Sequence, residues 1–154
     1  MSPNKEIRDE RMEFTLRFFA YLENYQQFQH SVREFLDEYM RQYSSKDEEN
    51  TQSMDNQEIQ RMNEEFERVL EFVKTHYPHG FKKTENAKET YRVRFEAISV
   101  GTALALRIKP NLTPPNMEWL DSHEFKQFTT SDASNSKPKV KSRIEYVRDK
   151  LLGA

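Results

Sequence analysis

Between Tyr91 and Ile108 the sequence YRVRFEAISVGTALALRI carries two apolar stripes at helical spacing. Tyr91, Phe95, Ile98, Thr102 and Ala105 form one, and Val93, Ala97, Val100, Leu104 and Ile108 form the other, on nearly opposite faces. A helix that is apolar on both sides needs neighbours on both sides, so this segment predicts the central member of a bundle. Ala97, Gly101 and Ala105 recur every fourth residue and would let one neighbouring backbone approach closely. Asn86 with Glu89 supplies a capping-box start. The alternation of Tyr91, Val93 and Phe95 also fits a short strand.

Amphipathic segments that could surround such a helix lie on either side of it. The first runs from Asn4 or Lys5 to about Asn24, with Phe14, Phe18, Tyr21, Leu22 and Tyr25 on one stripe and Met12, Leu16 and Phe19 widening it. The second starts at Ser31, which forms a capping box with Glu34, and continues through Val32, Phe35, Leu36, Tyr39, Met40 and Tyr43. Asp55 with Glu58 opens a third, whose stripe of Ile59, Met62, Phe66, Val69, Leu70, Val73 and Tyr77 ends at Pro78 and Gly80. Lys109 to Pro115 reads as a turn, followed by one or two short helices holding Met117, Trp119, Leu120, Phe125 and Phe128. Pro138 suits a first helical turn, and Val140, Ile144, Val147 and Leu151 form a last stripe.

The expectation is an all-α, single-domain bundle of about five to seven helices across residues 1–154. Two interruptions are expected. Residues 44–56, SSKDEENTQSMDN, have almost nothing apolar to bury and read as a mobile loop. Residues 129–137, TTSDASNSK, read as a polar loop. Only 35% of the residues are hydrophobic against 32% charged, so the core must draw on 11 Phe and 7 Tyr, which favours amphipathic helices over buried strands.

Charge and chemistry narrow the function classes. A net charge of -2 argues against a generally basic nucleic-acid binder and leaves only local surfaces. The absence of cysteine excludes disulfides, thiolate zinc sites and cysteine nucleophiles. No run approaches the roughly 20 apolar residues of a membrane span, and none forms the apolar segment of a secretory leader, so a soluble, cytoplasmic protein with no membrane association is expected. The last helix concentrates Lys137, Lys139, Lys141, Arg143, Arg148 and Lys150 against Glu145 and Asp149. With Ser136 at its start, the residues Ser136, Lys137, Lys139, Lys141 and Arg143 are the candidate contacts to phosphate or nucleic acid; a solvated helix face is the alternative.

Other constellations carry less. Residues 47–71 hold nine carboxylates against Arg61 and Arg68, which suits a solvated face or a basic partner. His76 and His79 flank Pro78, which breaks the helix that would align them, so no metal site is expected. Three glycines leave little capacity for a phosphate loop, and no GxSxG elbow occurs. Neither a catalytic residue nor a cofactor is expected.

Four blocks, RDERMEFTLRFFAYLENY from Arg8, FLDEYM from Phe35, FEAISVGTALAL from Phe95 and TTSDASNSKPKVKSRIEYVRDKL from Thr129, occur in an order and spacing that resemble the helical C-terminal part of GmrSD-like proteins, domain of unknown function 262. The matching positions are Arg8, Asp9, Glu10, Leu16, Arg17, Phe18 and Phe19, then Phe35, Leu36, Tyr39 and Met40, then Ser131, Asn135, Ser136, Val140 and Arg143. In that family an N-terminal domain of ParB/sulfiredoxin-like fold, typically with a DGQQR-like motif, carries nucleotide-dependent DNA cleavage in modification-dependent restriction and phage defence. The motif does not occur in this sequence. The resemblance therefore implies a non-catalytic accessory module that docks on or regulates a catalytic protein partner, with Arg8, Asp9 and Arg17 as a polar cluster facing the missing domain. The alternative is an autonomous DNA-binding regulator using the basic C-terminal helix.

Overall fold

A computed structural model of the chain describes residues 3–29, 31–49, 52–84, 86, 91–130 and 136–153, with the side chains of 3–10, 43–49 and 52–56 outside the description. The α-helices in chain order are α1 (Pro3–Asn24), α2 (Val32–Glu49), α3 (Gln52–His76), α4 (Arg92–Ile108), α5 (His123–Phe128) and α6 (Lys137–Leu151). Single 3-10 turns at Tyr25–Gln27 and Glu118–Asp121 follow α1 and precede α5. There is no strand among the described residues, and the chain is an all-α bundle.

Helix α4 is its axis. Every residue from Arg94 to Ala103 is buried, and α6, α1 and α3 pack around it. Its small-residue row does what the spacing predicts. A Cβ added at Gly101 would stand 2.6 Å from the Val147 Cβ and 2.7 Å from the Ile144 carbonyl oxygen, so α6 lies directly against the α4 backbone. Val140, Ile144, Val147 and Leu151 of α6 are all fully buried there.

Rings fill the space between the remaining helices. Phe66 of α3 packs 4.7 Å from Phe18 of α1, measured between centroids, and Phe14 of α1 lies 4.7 Å from Phe95 of α4. At one end Trp119, Phe125 and Tyr146 join α5 to α6. The buried Tyr77 hydroxyl, 3.1 Å from the Thr102 hydroxyl, fixes the end of α3 against α4. These pairs sit in the 4.5–7 Å range in which tilted and edge-on rings attract.

Three boundaries differ from the sequence reading. Helices α2 and α3 reach Glu49 and start at Gln52, so most of the expected loop at 44–56 is helical, and only residues 50 and 51 between them lie outside the description. Glu, Lys, Gln and Met are strong helix formers, and a helix satisfies its own backbone hydrogen bonds without burying a side chain. Helix α3 thus begins before the expected Asp55 cap. Helix α4 begins at Arg92 after an extended Tyr91, with no side-chain cap, while Glu89 of the expected capping box lies outside the described residues. Of the polar loop at 129–137, residues 131–135 lie outside them too, and Lys137 already belongs to α6. The Ser31 cap of α2 is present, its hydroxyl accepting from the Glu34 amide at 3.3 Å.

Candidate functional site

Among the described residues the densest polar chemistry is a line of charges crossing from α1 through α4 to α6. Glu13 and Arg17 lie one turn apart on α1, and Arg92 and Glu96 lie one turn apart on α4, so each pair presents its charges on one face. Arg92 donates to both Glu13 carboxylate oxygens, at 2.7 and 3.1 Å. Arg17 donates its Nε to Glu13 Oε1 at 3.2 Å and its Nη1 to Glu96 Oε1. The second oxygen of Glu96, Oε2, accepts from Arg143 Nη2 of α6 at 3.5 Å. Positive and negative groups alternate as Arg92, Glu13, Arg17, Glu96, Arg143.

Depth changes along this line. The Arg92 side chain is 56% exposed and those of Glu96 and Arg143 are 2% and 1% exposed, so the chain of charges runs from solvent into the core. Arg92, and behind it Arg17, hold the Glu13 carboxyl below the usual carboxylate range. At Glu96 burial pushes the carboxyl up, while Arg17 and Arg143 act against it. Burial likewise lowers the Arg143 guanidinium, and Glu96 opposes that. The Tyr21 hydroxyl, buried with no hydrogen-bond partner among the described residues, lies in the same field, and burial raises its phenol. Two guanidiniums on one sealed carboxylate fix the relative placement of three helices. A lone charge at that depth would cost several kcal/mol.

The residues singled out from sequence fall into different places. Arg17 lies inside this cluster rather than on an open face. The side chains of Arg8 and Asp9 lie outside the description. Lys137, Lys139 and Lys141 are exposed on the first turns of α6, and Ser136 is the residue before it, its hydroxyl making no capping bond. Arg143 is a correction: at 1% exposure it faces Glu96, not solvent, and is removed from the candidate phosphate contacts. Its position three residues after Val140 places it on the buried stripe, a fact hidden when the basic residues are read as one run.

Glu96 is not among the candidate residues that the sequence offers. Its signal was a carboxylate set between Phe95, Ala97 and Ile98 in a helix with no polar face to receive it. Arg94 carries the same signal. Its guanidinium is buried, donates to the Phe81 carbonyl at 3.1 Å and lies 5.3 Å from the centre of the Phe125 ring.

Two grooves lined by described residues open on the surface. One, of about 370 Å³, lies between the end of α1 and α2 and is lined by Asn24, Gln27, Glu34, Phe35, Glu38 and Tyr39 among others. The other, of about 360 Å³, lies between α1 and α3 over Phe19, Leu22 and Met62, with Arg107 clamped to both oxygens of Glu65 at 2.6 and 2.8 Å on its wall. Among the described residues no set of three or more His, Cys, Asp or Glu could hold a metal ion, and no helix is long and apolar enough to cross a membrane. Searches of protein-family models, curated proteins and solved structures give no match to this chain.

Proposed function

We propose that this chain is a non-catalytic helical accessory module, similar to the C-terminal part of GmrSD-like restriction and phage-defence proteins, which docks on and regulates a catalytic partner. The observation that carries the reading is the one-sided support of α2 among the described residues. It packs chiefly on α1, its Val32, Phe35 and Leu36 are only half-buried, and Met40 is 53% exposed. An apolar stripe that its own chain covers on one side is what a protein partner can complete. The 370 Å³ groove beside it gives such a partner amide and carboxylate groups for orientation.

The test is co-expression with a separately encoded protein bearing the DGQQR-like motif. Co-purification, and DNA cleavage that changes when this chain is added, support the reading; M40E should then weaken co-purification without loss of helical signal. A partner that cleaves DNA equally well with and without this chain would sink it.

A second reading, autonomous DNA binding, draws on Lys137, Lys139 and Lys141, which are exposed together at the start of α6. It requires binding that weakens with salt. Replacing the three lysines by Gln should lower the slope of log K against log salt by about 0.9 for each phosphate no longer neutralised. An unchanged slope removes it.

A further inference from the structure

The groove between the end of α1 and α2 has a sign. Its lining includes two carboxylates, Glu34 and Glu38, together with side-chain amides and the Ser31 hydroxyl, and no lysine or arginine among the described residues. Glu34 and Glu38 lie one turn apart on α2, so they share one edge of the groove, and both are exposed. Glu34 forms no ion pair among the described residues. Glu38 meets Arg41 at 3.6 Å, but the two side chains are 56% and 71% exposed, so a better-placed cation can displace that contact.

The opposite wall is the chain leaving α1, where Asn24, Gln27 and Gln29 contribute amides. Asn24 donates to Gln42 Oε1 at 3.4 Å and so ties this wall to α2. Aromatic surface lies between the walls. Phe35 is held by Tyr21 and Phe28, at centroid distances of 4.8 and 5.4 Å, yet it is only half-buried, and the surface it has left borders the groove beside Tyr39.

We propose that this groove takes a short arginine-bearing segment of a protein partner, with a guanidinium placed against Glu34 and Glu38. Three properties of that group match the lining. Its fixed fork of N–H donors pairs with a carboxylate two bonds at a time, its remaining donors suit amide oxygens, and its weakly hydrated plane packs on aromatic surface. An acidic segment or a phosphate backbone would meet two carboxylates and no cation. A volume of about 370 Å³ is small for a ligand cleft and suits a few side chains of an extended segment. The inference gives the partner's chemistry at the groove beside α2, and to that extent it rests on the accessory reading.

The experiment is titration of the isotope-labelled full chain with blocked hexa-arginine, followed by NMR at moderate salt, with hexa-lysine and hexa-glutamate as comparisons. The side-chain amide signals of Asn24, Gln27, Gln29 and Gln42 report on the groove directly. Hexa-arginine should shift them saturably, hexa-lysine should bind roughly threefold or more weakly, and hexa-glutamate should leave them in place. E34Q/E38Q should weaken hexa-arginine binding about tenfold with unchanged circular dichroism. E64Q/E67Q, which removes two exposed carboxylates from α3 instead, should leave it as tight. Shifts confined to α3, equal weakening in both variants, or no saturable binding would each overturn the proposal. Co-purification with a catalytic partner is read separately: a partner that is captured while hexa-arginine fails removes the arginine assignment alone, and saturable peptide binding without a captured partner removes the accessory role alone.

Discussion

Glu96 of α4 and Arg143 of α6 stand 47 residues apart in the chain and meet at 3.5 Å, both all but sealed from solvent. The contact joins the two helices that also pack most closely at Gly101. An ion pair in that position is worth little against a well-packed apolar substitute, yet is costly to break from one side. Its role is to specify which faces of α1, α4 and α6 come together.

E96Q should therefore destabilise the protein by about 3–5 kcal/mol, because it removes the buried charge that Arg17 and Arg143 both meet. The double variant E96L/R143M should be less destabilised than the sum of E96L and R143M measured alone. Urea denaturation of the four proteins gives the coupling directly, and strict additivity would show that the pair is energetically independent.

Glu13 contributes to the acid limb of the stability curve. Its folded pKa lies below the usual 4.5 through Arg92 and Arg17, so the folded state binds its proton less readily than the unfolded chain. Its contribution is then present above pH 4.5 and lost as pH falls through the folded value. E13Q should flatten the fall in stability below that pH, measured as the urea midpoint across an acid series.

G101A should destabilise by about 1–3 kcal/mol, although alanine is the better helix former, because the new methyl would meet the Val147 Cβ and the Ile144 carbonyl oxygen at under 3 Å. V147A should not rescue it, since the alanine Cβ and the carbonyl both stay in place. Thermal unfolding of the single and double variants reads the difference.

Ser122 holds α5 in two ways. Its hydroxyl accepts from the Phe125 amide at 3.1 Å as the helix cap and lies 3.1 Å from the Tyr146 hydroxyl of α6. S122A should cost about 1 kcal/mol through the cap alone. Trp119, the single tryptophan, stacks edge-on to Phe125 at 5.0 Å and is nearly buried, so its emission should shift to longer wavelength if α5 loosens. Unaltered stability with an unaltered spectrum would show that α5 is held by its rings alone.

The sequence made the bundle legible because a stripe such as Val140, Ile144, Val147 and Leu151 states both a helix and the side it buries. The row Ala97, Gly101, Ala105 likewise stated where a neighbour would come closest. Residues 44–49 and 52–56 are helical against expectation for a physical reason: the absence of apolar side chains speaks against burial, not against helix, and a loop follows only if the two are equated. The buried cluster was less legible still. Arg17 stood out as a polar residue in a matched block, but nothing local told that it would face Glu96, 79 residues away, and Arg143 is indistinguishable by charge from the lysines around it. Pairing across that distance is decided by which helix faces meet, which a stripe on one helix does not specify.

The burial of α4 on all sides also has a consequence for synthesis. When a ribosome has released α1 to α5, the face of α4 that receives Val140, Ile144, Val147 and Leu151 is still bare, and Glu96 has one guanidinium instead of two. Until α6 arrives, the nascent chain carries its most apolar helix with one flank open to water and to any holding factor that recognises such flanks. Helix α6 closes this flank of α4, and every chain that stops short of it presents the same open flank.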